Sequence, residues 1–200
     1  MAGGVYLTKT DLDMIKQLEI CVNRISGKET CKKVMEGKDQ LKTGSSKEKI
    51  AIFVKNAMGK LDNYVNLDDR LKIMESCGRN CAMINKNVIE AAKKRRNNHK
   101  TIDEFLEAEQ KKPMPGTRLE RKDNNLFQYY TPKVFTRPMR CYCSLLRGLP
   151  ESEKISKTYC HCSKAFVKKF WEEVLEKPVK VELLQSVVTG DSECKFSIIF

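Results

Sequence analysis

Apolar positions recur every three or four residues through the first 110 residues and every second residue near the end of the chain, so the pattern predicts helices first and strands last. Thr10–Arg24 reads as a helix capped by Thr10 or Asp11, with Leu12, Ile15, Leu18, Ile20 and Val22 forming its apolar side; Ser26-Gly27 ends it. A second, shorter helix is expected over Thr30–Gln40, followed by a polar loop over Lys42–Ser46. Lys47–Leu61 carries Ile50, Phe53, Val54, Ala57 and Leu61 at helical spacing. Leu67–Asn80 or beyond, and Met83–Arg96, continue in the same style. Thr101 and Glu104 form a capping-box pattern ahead of Phe105 and Leu106.

The pattern changes after Lys111. Pro113, Pro115, Gly116 and a mixed charge run mark 113–125 as a linker or long loop between a helical region, 1–112, and a cysteine-rich region, 126–200. Leu126–Tyr130, Val134–Arg147 and Ser156–Cys162 read as extended. Ser163 is placed to cap an amphipathic helix over Lys164–Glu176, with Phe166, Val167, Phe170, Trp171, Val174 and Leu175 on its apolar side and Pro178 behind it. Val179, Val181 and Leu183 then alternate with charged residues. Thr189-Gly190-Asp191-Ser192 is a hairpin turn, and Cys194, Phe196, Ile198 and Phe200 share one face of a return strand. The expected class is α+β: a helical N-terminal half, then antiparallel hairpins flanking one amphipathic helix.

A net charge of +12 keeps such a chain soluble and draws it toward anions. It does not name nucleic acid: the basic run Lys93–Arg96 suits a solvated helix C-terminus, and no helix-turn-helix, zinc-finger or aromatic ribonucleoprotein pattern accompanies it, so nucleic acid is not expected as a partner. Neither a signal-peptide core nor a stretch of about 20 apolar residues is visible, so a cytoplasmic protein without membrane contact is expected.

That setting changes the meaning of the nine cysteines, which would be reduced there and more suited to metal binding or catalysis than to structural disulfides. Cys141-Tyr142-Cys143 and Cys160-His161-Cys162 are the sharpest features. On two antiparallel strands, residues two apart share a face, so Cys141 would oppose Cys162 and Cys143 would oppose Cys160, crowding four sulfurs together. Thiolates suit zinc or an iron–sulfur cluster. Cys162, just ahead of a helix, would have its pKa lowered, and Cys194 can turn toward the same site. Cys77 and Cys81, one helical turn apart, are additional candidates, and Gly78 between them hints at a close approach or a bend. Buried packing is the alternative for each thiol taken singly. His161 alternates away from its cysteine neighbours, and no nucleophile–base pair is apparent.

The order Tyr159-Cys-His-Cys-Ser-Lys-Ala-Phe166, a helix through Trp171, Pro178-Val-Lys-Val-Glu182 and Gly190-Asp-Ser-Glu-Cys194-Lys-Phe196 resembles the end of the 4-vinyl reductase domain. It is also similar to bacterial proteins near the aminothiazoline carboxylate hydrolase-like family. The resemblance covers the last 60 to 80 residues or so, on the scale of a small domain. It implies an α+β ligand-binding fold used in sensors of aromatic compounds and in tetrapyrrole metabolism; in the phenol-type sensors cysteines and a Glu hold a structural zinc. By position Glu182 and Cys194 match that Glu and the final Cys, whereas Gln185 stands where the family has a further Cys.

Together these readings lead to a small-molecule-binding or sensor-like protein with a thiolate site, zinc or else an iron–sulfur cluster, held by Cys141, Cys143, Cys160, Cys162 and Cys194, with Glu182, Cys77 and Cys81 as additions. Phe166, Phe170, Trp171 and Phe196 would wall a pocket for a small organic ligand. A thiol-dependent hydrolase or reductase using Cys162 or the Cys77/Cys81 pair, and a thiol redox sensor, remain as alternatives; whether the chain is an enzyme, and whether it forms a homodimer, stays open.

Overall fold

The computed structural model describes residues 8–122, 125–131 and 141–200. Six helices come first: α1 (Lys9–Ser26), α2 (Lys28–Val34), α3 (Lys47–Tyr64), α4 (Leu67–Ile84), α5 (Lys86–Arg96) and α6 (Ile102–Lys111). Strands β1 (Thr117–Lys122) and β2 (Asn125–Tyr130) follow, then α7 (Cys160–Leu175), β3 (Lys180–Gln185) and β4 (Cys194–Ile199). The class is α+β with a helical N-terminal half.

Local chemistry accounts for the helix starts. Thr8 and Asp11 form a capping box on α1, Thr101 and Glu104 form one on α6, and Ser46 and Asn66 accept from Lys49 and Asp69 at the heads of α3 and α4. The expected Thr30–Gln40 helix is split. α2 stops at Val34, Gly37 takes a left-handed conformation (φ 89°), and one tight turn covers Lys38–Gln40. The expected linker is also corrected: its second half is β1, whose Leu119 faces the core while Arg118 and Glu120 face outward. Charged residues at alternate positions concealed a half-buried edge strand.

The sheet has the order β1-β2-β4-β3, all antiparallel. One face carries Leu119, Leu126, Gln128, Tyr130, Cys194, Phe196, Ile198, Val181 and Leu183 toward the helices, as the period-two pattern in β3 and β4 anticipated. α7 lies between this face and α4. Trp171 is 2% exposed and donates its indole N–H to Gln128 Oε1 at 2.7 Å, so the oxygen of the one amide on the inner face of β2 is satisfied. On the outer face, the Arg118 guanidinium lies 3.6 Å from the ring centroid of Tyr129, and the Lys195 ammonium 4.6 Å from that of Phe127. Among the described residues no helix is long and apolar enough to cross a membrane.

The hinted close approach at Gly78 is present. A Cβ there would stand 2.2 Å from the Cys162 carbonyl oxygen and 2.7 Å from Ala165 Cβ, so α4 and α7 touch backbone to backbone. Gly78→Ala should destabilise the fold by about 1–3 kcal/mol, since neither helix backbone can give way cheaply. Gly59, in the middle of α3, is the internal control, because a Cβ there would meet nothing within 4 Å. Gly59→Ala should stabilise by about 0.5–1 kcal/mol. Urea titration of both variants measures the contrast, and equal effects would refute the packing argument.

Candidate functional site

A cavity of about 560 Å³ lies between the helices and the inner face of the sheet. α1 contributes Met14, α4 Cys81, α5 Val88, and α7 Cys160, Cys162, Phe166, Val167 and Phe170; the sheet contributes Gln128, Tyr130, Leu183, Cys194 and Phe196. Segment 141–147 supplies Cys141, Tyr142, Cys143, Ser144 and, as the single charged side chain among the described lining residues, Arg147. The walls are apolar and sulfur-rich.

Segment 141–147 is held in place by a buried carboxylate. Asp11, 1% exposed at the start of α1, accepts from Lys47 Nζ at 2.6 Å, from Ser144 Oγ at 2.6 Å, and from the Thr8 amide and hydroxyl at 2.9 and 2.8 Å. Burial works against its charge, but these donors together win and hold the carboxyl below its ordinary range. Gly148 adds a second tie: a Cβ there would meet the backbone of Lys47 and Glu48 at 2.5 and 2.6 Å, so the segment lies directly on the first turn of α3.

Cys141, Cys143, Cys160, Cys162 and Cys194 all line this cavity, together with Cys81. The route differs from the expected hairpin. Residues 141–147 form turns, part of the expected strand over Val134–Arg147 falls outside the described residues, and Cys160–Cys162 opens α7 in place of a strand. α7 begins ahead of Ser163, and its N-cap, Tyr159, makes no side-chain cap bond. Positions two apart on a helix are about 200° apart. Cys160 therefore turns to β3's end, 2.9 Å from Ser186 Oγ, while Cys162 sits at the α4 crossing. Cys143 Sγ lies 3.2 Å from the Tyr159 hydroxyl, and Cys81 Sγ lies 3.6 Å from Met14 Sδ.

Cys77 faces a small adjoining void of about 40 Å³, whose wall shares Met14, Cys81, Cys143 and Cys162 with the main cavity. Glu182 projects from the opposite side of β3: it is exposed and pairs with Lys180 at 3.0 Å. Phe166 and Phe170 line the cavity and Trp171 packs beside them, edge-on to Phe170 at 5.3 Å. Tyr130 and Tyr142 were given no role from the sequence, and Tyr159 entered only as the first residue of the motif that carries the resemblance; tertiary packing brings all three to the lining. Tyr130 and Tyr142 stack at 4.6 Å between centroids.

Burial governs the thiols. It raises Cys81 to about 12 and Cys160 to about 11, and pushes Cys141, Cys162, Cys143 and Cys194 upward as well. The expected lowering of Cys162 by its helix is thus overturned: the first turn of α7 is packed against α4, and burial pushes this thiol well up, with the neighbouring thiols Cys81 and Cys143 adding to the rise. Cys21 goes the other way, to about 7, because of its hydrogen bond with Cys77, with Arg24 and Arg79 adding positive charge. Among the described residues no three His, Cys, Asp or Glu side chains stand close enough to hold a metal ion, so a four-thiolate zinc set does not fit the side chains as they stand. None of the described cavity-lining residues is His, Asp, Glu or Lys, so no side chain suited to act as a general base stands among them.

Residues 10–200 match the model of a family of unknown function, DUF6144, and the chain belongs to that family. No curated protein matches it. The Asp11 contacts yield a direct test. Asp11→Asn should cost about 3 kcal/mol at pH 7, because Lys47 loses the counter-charge beside it and an amide NH2 cannot accept from the Lys47 and Thr8 donors that share one carboxylate oxygen. A depressed carboxyl stabilises above its unfolded pKa and ceases to as pH falls through the folded value. The gap between wild type and variant should therefore be full above about pH 4 and close below it. Denaturation at several pH values reads this, and a gap that does not vary with pH would refute the role.

Proposed function

We propose that this chain binds a small, largely apolar organic molecule in the cavity between α4, α7 and the sheet. The observation that carries the reading is the cavity itself. Its size falls in the range of ordinary ligand sites, roughly 300–1,000 Å³, and its lining is apolar with a few polar groups at fixed positions. Phe166, Phe170 and Phe196 offer flat, apolar contact with Leu183 beside them, and the hydroxyls of Tyr159 and Ser186 are already engaged by Cys143 and Cys160. Protonated thiols behave as small, soft apolar groups, which suits binding better than nucleophilic attack. The lack of a base among the described lining residues argues in the same direction, against a thiol hydrolase.

The thiolate-metal reading, zinc or an iron–sulfur cluster, retains one observation in its favour: all five thiols expected as ligands line the same cavity. It requires several of them to rotate inward and lose protons together. Elemental analysis of protein purified reduced and without oxygen decides it. Stoichiometric zinc, or iron with sulfide, would establish a metal centre, and metal-free protein that still binds an apolar probe would leave the organic-ligand reading alone.

The cavity reading is tested with the neutral fluorophore N-phenyl-1-naphthylamine. Saturable binding at one site per chain is expected. Leu183→Trp, which fills space on the β3 wall, should abolish it while far-ultraviolet circular dichroism is unchanged. An intact fold with undiminished binding in the variant would place the probe elsewhere and reject the site.

A further inference from the structure

We infer that the cavity takes a thiophilic ligand, a trivalent organoarsenical bearing one apolar substituent, captured by Cys81 of α4 and Cys162 of α7. This rests on the cavity reading and adds the chemistry of the reacting group. Six thiols and the thioethers of Met14 and Met114 line one space, a concentration of soft donors that an ordinary apolar ligand does not call for. Cys81 and Cys162 stand on the two helices that meet backbone to backbone at Gly78, so their main chains are fixed. Both also border the small void beneath the cavity, which leaves their side chains room to turn.

Charge separates this ligand from a zinc ion. Four thiolates around zinc carry two net negative charges, a costly burden where the only charged group among the described lining residues is Arg147. An arsenical needs only two thiols and leaves the site neutral. In the step, R–As=O and two Cys–SH give R–As(S–Cys)₂ and water. Two S–As bonds form, the As–O double bond breaks, both thiol protons leave on the oxygen, and arsenic stays trivalent. That demand agrees with a lining in which no three metal-ligating groups converge among the described residues. The substituent R would lie against Phe166 and Phe170.

The experiment is titration of the reduced full-length chain with phenylarsine oxide under anaerobic conditions. Intact mass, free-thiol count and peptide mapping are read together, with N-phenyl-1-naphthylamine as a competing neutral probe. One adduct per chain, loss of two thiols mapped to Cys81 and Cys162, exclusion of the neutral probe, and release by a small dithiol are expected. Cys81→Ser and Cys162→Ser should each abolish the stoichiometric adduct, whereas Cys31→Ser, on α2, should leave it unchanged. Mapping on the wild-type chain keeps the test valid if a variant folds poorly. Neutral-probe binding without an adduct would overturn the inference and spare the cavity reading. An adduct mapped to Cys21 and Cys77, or one that persists in both serine variants, would overturn it too. Failure of both ligands would overturn both.

Discussion

The crossing of α4 and α7 at Gly78 is the contact on which the remaining geometry depends. Two helices normally keep their axes about 8–10 Å apart because side chains stand between them. Here Gly78 presents none and Ala165 presents only a methyl, so the Cys162 carbonyl lies where a Cβ would be. This draws the N-terminal helices onto the helix that backs the sheet, and the two regions share one core. It also sets Cys77 and Cys81 beside Cys162, thiols that lie far apart along the chain.

A second constraint fixes the opposite wall. The segment after residue 140 has little regular structure among its described residues, yet it holds two of the cavity thiols and the arginine of the lining. Asp11 anchors it through Ser144 while pairing with Lys47, and Gly148 lets it lie on the first turn of α3. A buried carboxylate is tolerable only because every contact it makes is with a donor, one of them charged. The cavity lies between these two rigid contacts. Its walls at the crossing carry cysteines and serines, and these short side chains do not fill the space that larger ones would.

The chemistry follows from desolvation. In water a thiol at a helix start inside a basic protein would lean toward the thiolate. In this cavity burial pushes the thiols upward instead. Among the described lining residues these thiols stand with tyrosine and serine hydroxyls and a single charged group, Arg147. Such a lining favours partners that take up thiols without leaving charge behind.

Hydrophobic periodicity was enough to identify α1, α3, α4 and the β3–β4 hairpin, and the Thr-x-x-Glu pattern placed the start of α6, because these signals are local: each depends on residues within one turn or one strand of each other. Gly78 was legible as a close approach for the same reason, since a glycine inside a strong helix needs an external cause. The edge strand β1 and the start of α7 were not. Two cysteines with one residue between them fit a strand as well as a helix, and only packing against α4 decided for the helix. The sequence likewise marked Cys141, Cys143, Cys160, Cys162 and Cys194 as a set, but it did not contain the way they meet, nor the tyrosines among them, nor the direction of their acidity. Those depend on which groups long-range packing brings together and how much water it excludes, and no local pattern encodes either.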